Sequence, residues 1–470
     1  MTNHELHTLS SLQQDIVGLD QPIPLLDGAS RRCVFLDNAA STPALGAVQR
    51  KVDELLCWYS SVHRGASFKS LLSTEAYEQA RRIVAQFVGA DPQADVVIFG
   101  KNTTEAANKL AHRLPLTPDD VVITTVMEHH SNDLPWRHRA QVVYVTLRED
   151  HSLDLDDLAR KLEQYQERVR LVATTGASNV SGYTPPIYEM AALAHKYGAQ
   201  IFVDCAQLAP HRPICMGSAG SPQRLDFVAL SAHKMYAPYG SGALVGPRET
   251  FAQGDPEYRG GGTIDLVTMD EVRWAAPPEK DEAGTPNLIG AVALAASMRC
   301  LQEVGMEAIA QHERELTAYT LEQLQQLPQI TIYGSADPQR LDDRLGVISF
   351  NVGGMHHGKV AAILGFEGGI AVRHGCFCAH PYVVQLLAID EPAQAAFRQD
   401  IIEGDHTQMP GLVRVSFGCY NTREDVDHLL QMLKRICAGD YKGDYVVDPA
   451  SGTYLPRQFD MDLIHQAFSI

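Results

Sequence analysis

Long hydrophobic runs are missing from this chain of 470 residues. No stretch approaches the ~18 consecutive apolar residues of a membrane-spanning helix, so we expect no membrane span. The first residues, MTNHELHTLSSLQQDIVG, lack the basic start and apolar core of a signal peptide. The nine cysteines are odd in number and scattered, which fits a reducing compartment better than a disulfide framework. We therefore expect a cytoplasmic protein.

Basic residues are also scarce. The chain has 39 lysines and arginines against 57 aspartates and glutamates, a formal net charge of −18. This excess of acid argues against nucleic acid as the main partner. The composition, 45% hydrophobic and 20% charged, is ordinary for a globular protein, and the length predicts two domains.

The most informative stretch is DFVALSAHKMYAPYGSGALVG, residues 226–246. Its apolar run at 227–230 predicts a buried strand, and Lys234 follows the end of that strand. A lysine there is partly desolvated, which lowers its pKa and frees the amine to form a Schiff base. Taken alone, the stretch also fits a strand that ends in a solvated lysine.

A Walker motif, G-x-x-x-x-G-K-[ST], is absent. Instead, a predicted strand at 95–99 leads through GKNTTE into the helical run AANKLAHRL. Hydroxyl groups and main-chain N–H groups at a helix start can hold a phosphate, which makes Thr103 and Thr104 candidates. A threonine that only caps the helix is the alternative.

Further predicted strands end in polar residues, at 121–126, 171–175 and 200–203. His129 follows the first of them, where a flat ligand ring could stack on it, although a metal pair with His130 is an alternative. Asp204 follows the last, and a buried carboxylate needs a cationic partner such as a protonated pyridine nitrogen.

The alternation of strands and helices predicts an α/β fold with a mostly parallel sheet. Ligands of such sheets bind outside the carboxyl ends of the strands. Five candidates fall at these ends and should converge on one crevice: Thr104, His129, Asn179, Asp204 and Lys234.

The domain organisation follows from the same pattern. We expect an N-terminal segment at 1–30 with a helix ended by Pro22 and Pro24, a large domain at 31–290, a small domain at 291–440 with a surface insertion at 383–410, and a tail at 441–470 that packs on the body or on a partner.

The segment GIAVRHGCFCAHP contains Cys376 and Cys378, two residues apart. In extended backbone their side chains, with those of His374 and His380, would point the same way. A zinc site would need a second distant pair, which we do not identify. Two buried structural cysteines are the commoner case, but the cationic surroundings favour a reactive thiol.

Arg414 lies in the alternating strand LVRVSF. A buried arginine needs an anion, and a substrate carboxylate is a bidentate match. A structural ion pair is the alternative.

Ten ordered motifs across residues 31–440 resemble class V, fold-type I pyridoxal phosphate (PLP) enzymes, closest to group II cysteine desulfurases and selenocysteine lyases. They are FLDNAAST, SVHRGAS, NTTEAAN, MEHHSNDLPW, SNVSG, VDCAQ, SAHKMYAPYGSG, EAGTPN, RHGCFCA and VRVSFGCYNT. The resemblance implies a large domain with a mostly parallel, seven-stranded type of sheet and a smaller α+β C-terminal domain.

The resemblance implies catalytic roles for four residues. Lys234 would bind the cofactor as an imine and move protons, and Asp204 would pair with the pyridine nitrogen. His129 would stack on the ring, and Cys378 would carry a persulfide.

Cofactor-binding roles are implied for Thr103, Thr104, His129, Asn179, Asp204, Gln207, Ser231, His233, Lys234 and Thr285. Thr285 would reach the phosphate of the other subunit, so a homodimer with active sites near the subunit interface is implied. Substrate-binding roles are implied for Arg414, Arg373, Asn38, His63 and Arg64, the last two beside the partner's site. No metal is implied.

The implied activity is conversion of L-cysteine to L-alanine, with the sulfur moved to Cys378 and on to a sulfur-acceptor protein. Cys376 and Phe377 stand where the family usually has histidines, and Cys376 could relay the persulfide. This departure keeps open a C–S lyase, a selenocysteine lyase or an epimerase on the same scaffold. From another class, a catalytically silent PLP-fold partner or a zinc protein remains an alternative.

Overall fold

The computed structural model describes residues 8–469. The helices of this part are α1 (Leu9–Gln14), α2 (Gly46–Leu56), α3 (Phe68–Phe87), α4 (Thr103–Arg113), α5 (Leu134–Arg137), α6 (Leu155–Tyr165), α7 (Ile187–Lys196), α8 (Arg248–Ala252), α9 (Leu288–Val304), α10 (Met306–Leu324), α11 (His357–Gly368), α12 (His380–Leu386), α13 (Glu391–Glu403), α14 (Arg423–Cys437) and α15 (Asp462–Ala467).

The strands are β1 (Pro22–Pro24), β2 (Ser30–Arg32), β3 (Val34–Phe35), β4 (Asp95–Gly100), β5 (Val121–Thr125), β6 (Gln141–Val145), β7 (Val169–Thr175), β8 (Gln200–Asp204), β9 (Phe227–Ser231), β10 (Gly242–Pro247), β11 (Ile264–Val267), β12 (Val272–Trp274), β13 (Ile330–Tyr333), β14 (Val347–Val352), β15 (Ile370–Ala371), β16 (Arg373–Gly375), β17 (Leu412–Ser416), β18 (Tyr445–Val447) and β19 (Tyr454–Pro456).

The central sheet has seven strands in the order β4-β10-β9-β8-β7-β5-β6. Strands β9, β8, β7, β5 and β6 are parallel, and β10 runs antiparallel to both of its neighbours. Side chains alternate between two apolar layers: Val203 packs with α2, α3 and α9, and Phe202 packs with α4. Burial on both faces explains the continuous apolar strands. The predicted α/β fold with a mostly parallel sheet is confirmed.

A second sheet of four antiparallel strands lies in the C-terminal half, in the order β13-β14-β17-β16. Its apolar face forms a separate core with α10, α11 and α14. The strand β17 brings Arg414 from this second sheet to the edge of the first, so the cavity described below draws residues from both.

Two of the expected domain bounds separate residues that share a core. Helix α9 packs on α2 and α3 in the first core, although residues after 290 were expected in the small domain. Strand β3 pairs with β15, and Val34 and Leu36 lie in the second core. At the N-terminus, α1 ends at Gln14, and Pro22–Pro24 is strand β1, paired with β2, and does not end the helix. The expected start of the N-terminal segment, at residues 1–7, lies outside the described residues.

The expected insertion at 383–410 starts too early. Val383 and Leu386 are buried in α12, so they belong to the core. The following helix α13, which is described throughout, has no buried residue. The tail packs on the body: Tyr445 donates a hydrogen bond to Glu367, with 3.0 Å between the oxygens.

No single helix within residues 8–469 is long and apolar enough to cross a membrane. Helices α9 and α10 pass such a test only together, across a bend of 77°. Most of α9 is buried in the first core.

Candidate active site

A cavity of about 210 Å³ opens at the carboxyl ends of β5, β7, β8 and β9, beside the start of α4. Twelve residues predicted from the sequence line it: Thr103, Thr104, His129, Asn179, Asp204, Gln207, Ser231, His233, Lys234, Arg373, Cys378 and Arg414. The structure thus brings together groups from both halves of the chain at one strand edge.

Lys234 follows β9 at the end of a short 3₁₀ turn, residues 232–234. Burial lowers the pKa of its amine to about 8, although the charge of Asp204 opposes this shift. Arg414 adds to the lowering. An amine with this pKa is partly neutral near neutral pH, so it can attack a carbonyl carbon or accept a proton.

Asp204 ends β8 and is 5% exposed. Its Oδ1 accepts a hydrogen bond from the main-chain N–H of Ala206, with 2.9 Å between the atoms. Burial raises the pKa of Asp204, while this bond and the charge of Lys234 lower it. The carboxylate keeps capacity for a cationic nitrogen on the cavity side.

Hydroxyl groups surround the start of α4. The main-chain N–H of Thr103 donates to Ser231 Oγ over 3.0 Å, and the two hydroxyl oxygens are 2.8 Å apart. Thr104 Oγ1 lies 2.6 Å from Ser131 Oγ, which in turn lies 2.9 Å from His129 Nδ1. Hydroxyls beside a helix N-terminus form a cradle for an anion.

This cradle requires a glycine in β10. A Cβ at Gly242 would lie 2.4 Å from Leu230 O and 2.7 Å from Asn102 Cα. Only glycine therefore allows β10 to approach the residue that caps α4.

His129 is neutral in this cavity. Burial is the main cause that lowers its pKa to about 3, and the charges of Lys234 and His130 add to it. A neutral imidazole can stack on a flat ring without adding charge to the site.

Arg414 is 2% exposed and lines the cavity from β17. It donates to Asn179 O over 2.9 Å and to Asp37 Oδ1 over 2.8 Å. Among the described residues its buried Nε has no partner. Its guanidinium carbon lies 4.7 Å from the centre of the Phe377 ring. Exposed Arg373 has Nη1 3.9 Å from Asp37 Oδ2.

The two cysteines lie in a turn that follows β16, so the alternation of extended backbone does not apply to them. Phe377 and Cys378 have φ of +52° and +55°. Asn179 Nδ2 donates to Phe377 O over 2.7 Å, and the main-chain N–H of His130 donates to Cys378 O over 2.8 Å. These bonds hold a strained turn with the Cys378 thiol exposed at the cavity.

Cys376 differs from this thiol in its surroundings. It is buried, and its Sγ donates to Pro410 O over 3.0 Å. Burial raises the pKa of Cys376 to about 12. A buried protonated thiol gives no support to the relay role. No group of three or more His, Cys, Asp or Glu side chains within 8–469 is arranged to hold a metal ion.

Four predicted site residues lie outside the cavity. Asn38 is buried, and its amide donates to Ser416 O over 2.9 Å, so it is engaged in the structure and does not face a substrate. His63 packs edge-on against a tyrosine, Arg64 donates to a main-chain oxygen, and Thr285 is exposed.

Glu128, which the sequence did not suggest, supports the residues around the cavity. It is buried and accepts hydrogen bonds from Thr125 Oγ1 (2.6 Å), Asn132 Nδ2 (2.6 Å) and the main-chain N–H of Thr175 (3.0 Å). Burial raises its pKa to about 8. These bonds link β5 to β7 and hold the turn that carries His129.

Asp37 and Ser131 were also missed. Ser131 and Glu128 flank His129 within the same motif, so this motif was the available signal. Asp37 stands next to Asn38 in FLDNAAST, so this motif was the available signal for it.

The donor set fits PLP, the cofactor that the sequence implies. Lys234 offers a low-pKa amine to an aldehyde, and Asp204 has capacity for a ring nitrogen. The cradle at α4 matches a phosphate. The three groups line one cavity.

Comparison with known proteins agrees with this donor set. A protein of Halalkalibacterium halodurans described as a probable cysteine desulfurase is 36% identical over 411 residues, which cover 86% of this chain and 92% of that protein. A cysteine desulfurase of Haloferax volcanii is 34% identical, with 85% of this chain and 88% of that protein covered.

Solved structures are similar over most of the chain. The apo cysteine desulfurase of Thermococcus onnurineus NA1 superposes with a TM-score of 0.77 at 32% identity, covering 92% of this chain and 98% of that one. A cysteine desulfurase of Escherichia coli gives a TM-score of 0.73 at 29% identity, covering 91% and 98%. The model of the aminotransferase class-V family matches residues 34–429. The protein is therefore a member of the aminotransferase class-V family, whose fold-type I enzymes use PLP.

Proposed function

We propose that the protein is a PLP-dependent cysteine desulfurase that converts L-cysteine to L-alanine and moves the sulfur to Cys378 as a persulfide. The observation that carries this proposal is the exposed Cys378 thiol at the cavity that also contains Lys234 and Arg414. The similar proteins described as cysteine desulfurases support the same reaction.

PLP, when bound, supplies an aldehyde for the substrate amine and a ring that takes up electrons left on carbon. Lys234 would hold it, with Asp204 at the ring nitrogen and the cradle at α4 around the phosphate. Because the pKa of Lys234 is about 8, its amine also accepts the proton from the substrate α-carbon.

The substrate carboxylate would bind between the two arginines. Arg414, which Asp37 holds by a hydrogen bond, and the exposed Arg373 both line the cavity and supply the positive charge for this carboxylate. The substrate sulfur would then face the Cys378 turn, which is held by the hydrogen bond from Asn179 to Phe377 O, while Asn179 O accepts from Arg414.

Cys378 would then attack as a thiolate. A bond forms between its Sγ and the substrate sulfur, the substrate C–S bond breaks, and the electron pair stays with carbon. Protonation of that carbon gives alanine, and the persulfide stays on Cys378. The exposed turn leaves this sulfur open to a thiol of an acceptor protein.

A homodimer is part of the proposal. Thr285, His63 and Arg64 lie outside the cavity of their own chain, so a second copy would place them at its site. A cytoplasmic location is supported by the nine cysteines, all of which lie in the described chain and are free thiols.

The test is incubation of the holoenzyme with L-cysteine and a reductant, with alanine and sulfide measured. We expect equal amounts of both products. Cys378→Ala should lose activity by about 100-fold or more, because the attacking group is gone. Cys376→Ala, the matched control, should keep activity.

The same screen separates the alternative reactions. Pyruvate and ammonia in place of alanine would indicate a C–S lyase, and selenocysteine as the only substrate would indicate a selenocysteine lyase. Full alanine production by Cys378→Ala would refute the proposed role of this thiol.

A further inference from the structure

Phe377, which the proposed mechanism does not use, connects the nucleophile to the arginine proposed to bind the substrate carboxylate. It directly precedes Cys378 in the chain, is buried and lines the same cavity. The centre of its ring lies 4.7 Å from the guanidinium carbon of Arg414. An aromatic ring at this distance attracts a cation, and the attraction is stronger where water is excluded. Because Arg414 is buried too, this contact restrains the ring relative to the guanidinium.

A second connection joins the same two residues through hydrogen bonds. Arg414 Nη1 donates to Asn179 O over 2.9 Å, and Asn179 Nδ2 donates to Phe377 O over 2.7 Å. Each of the three residues therefore contacts the other two, and we call this set the Phe377 triangle. A restraint on the guanidinium acts on Phe377 at two points, its ring and its carbonyl oxygen.

The turn that contains Cys378 needs such restraints. Phe377 and Cys378 have φ of +52° and +55°, a region that residues other than glycine rarely adopt. A backbone in this region persists only where the surrounding structure holds it. The main-chain N–H of Ala379 donates to Cys376 O over 2.9 Å, and that of His130 donates to Cys378 O over 2.8 Å. The Phe377 triangle supplies the contacts at the residue directly before the thiol.

Electrostatic attraction alone would not keep the thiol in place once substrate is bound. The charge of a Cys378 thiolate raises the pKa of Arg414 and that of Lys234, so the thiolate is attracted to both cations. A substrate carboxylate bound to Arg414 would compensate its charge and repel the thiolate. Packing between the Phe377 ring and the guanidinium includes dispersion attraction, which does not require an uncompensated charge.

We propose that Phe377 is a positioning residue that couples binding of the substrate carboxylate at Arg414 to the placement of Cys378, a role that rests on the proposed desulfurase function. The bound carboxylate restricts the movement of Arg414, and the Phe377 triangle transmits this restriction to the turn. The thiol is then held where it can attack the substrate sulfur. The acid group of the amino acid therefore contributes to sulfur transfer as well as to affinity.

The first test is hydrogen exchange of the peptide 374–386 in the holoenzyme, with and without L-alanine, whose binding is followed by the absorbance of PLP. L-alanine has the carboxylate but no sulfur, so it reports the coupling without sulfur transfer. In wild type, saturating L-alanine should slow exchange in the Cys378 turn by about fivefold, because a restrained turn opens less often. In Phe377→Leu, which lacks the ring, L-alanine should not slow it. Phe377→Tyr keeps the ring and should respond as wild type.

The second test separates positioning from a merely structural role by a single turnover with L-cysteine. Mass spectrometry measures persulfide on Cys378, and the absorbance of bound PLP measures binding. In Phe377→Leu, persulfide formation should be slower by about 10-fold, with L-cysteine affinity within about threefold of wild type, because the lost contact positions the thiol and does not bind substrate. Phe377→Tyr should restore the rate.

The control is Phe366→Leu, since the Phe366 ring packs on that of Phe459 in the second core, with 5.1 Å between centroids. Its exchange response and its rate of persulfide formation should match those of wild type.

An equal response to L-alanine in wild type and Phe377→Leu, or equal rates of persulfide formation in the two proteins, would overturn the proposal. L-alanine that leaves the absorbance of wild-type holoenzyme unchanged would refute the carboxylate site and the proposal with it. A wild-type protein that binds L-alanine but forms none from cysteine would refute the proposed function, whereas the exchange response would still report the coupling.

Discussion

Asp37 stands between the two arginines of the cavity, with Oδ1 2.8 Å from Arg414 and Oδ2 3.9 Å from Arg373. Arg414 is almost inaccessible to water, so its charge depends on this carboxylate. A buried cation that loses its partner is strongly destabilising, because nothing replaces its hydration. Asp37 therefore supports both the stability of the protein and the shape of the substrate end.

Asp37→Asn should lower the free energy of unfolding by about 3 kcal/mol, because Arg414 is left without a compensating charge. L-alanine, whose carboxylate can take the vacant place, should raise the melting temperature more in the variant than in wild type. Thermal unfolding with and without L-alanine measures both effects. Asp342→Asn, at an exposed carboxylate 3.9 Å from Arg314, is the control and should change little.

Individual site residues differed in how well the sequence could predict them. Lys234 and Asp204 follow apolar runs, and His129 follows a strand that is apolar except for two threonines, so local pattern indicates that all three lie at or just after strand ends. The Arg414–Asp37 pair joins residues 377 apart, and no local pattern contains it. The turn at Cys378 was missed because alternation assumes extended backbone, whereas two residues there have positive φ.

At the scale of elements, the start of α11 packs histidines together. The ring centroids of His356 and His357 are 4.0 Å apart, and those of His357 and His374, in β16, are 5.4 Å apart. Each ring has a buried nitrogen without a partner in the described part of the chain. Burial lowers the pKa of all three, that of His357 to about 3.

This cluster predicts loss of stability in acid. An unfolded histidine titrates near ~6.5, so below that pH the unfolded chain binds more protons than the folded one. The contribution of these neutral histidines to the free energy of unfolding is complete above about pH 7 and falls as the pH drops towards 3. Urea midpoints at pH 7.5 and 5 should show a smaller decrease in His357→Asn than in wild type. The control is His465→Asn, at the exposed C-terminal helix, in which the urea midpoint should decrease as much as in wild type. An equal decrease in wild type and His357→Asn, or a smaller decrease in His465→Asn than in wild type, would contradict this prediction.

Helices and strands were predictable where the spacing of hydrophobic residues determines which of the two forms. Most strands of the central sheet match the sequence pattern, because each is a continuous apolar run, whereas β6 at its edge and the helix α6 after it were not predicted. The prediction that Pro22 and Pro24 end a helix was wrong, because the prolines in the sequence do not indicate that Pro22–Pro24 pairs with β2. The short strand β3 is where the sequence pattern indicates one, but its pairing was not predictable, since its partner β15 lies more than 300 residues away.

At the scale of the whole molecule, the hairpin of β11 and β12 is the most exposed apolar feature near residues expected at a subunit interface. Leu266, Val267 and Val272 are exposed, and Met269 is fully exposed. Arg64 Nη2 donates to Ile264 O over 3.3 Å, so the hairpin is tied to the SVHRGAS turn. An apolar patch of this kind is typical of a protein interface.

Leu266→Asp combined with Met269→Asp should convert the proposed homodimer to monomer, because two charges would enter an apolar interface. Sedimentation velocity measures the oligomeric state, and PLP titration should show weaker binding, since the proposed contact of Thr285 from a second copy would be lost. Ile402→Asp, on the exposed helix α13, is the control. A double variant that stays dimeric would rule out the hairpin as the contact.

Because β3 pairs with β15, the residues at the cavity come from two different sheets. Asp37 follows β3 and bridges to Ser416, so it belongs with the second sheet, as Arg414 does. Asp204 ends β8 of the first sheet, and Lys234 follows β9. One sheet therefore supplies the arginine–aspartate clamp suited to an acid group, and the other supplies the amine and the carboxylate that fit the cofactor. Neither sheet alone has both, so the site exists only where the two halves of the chain pack together.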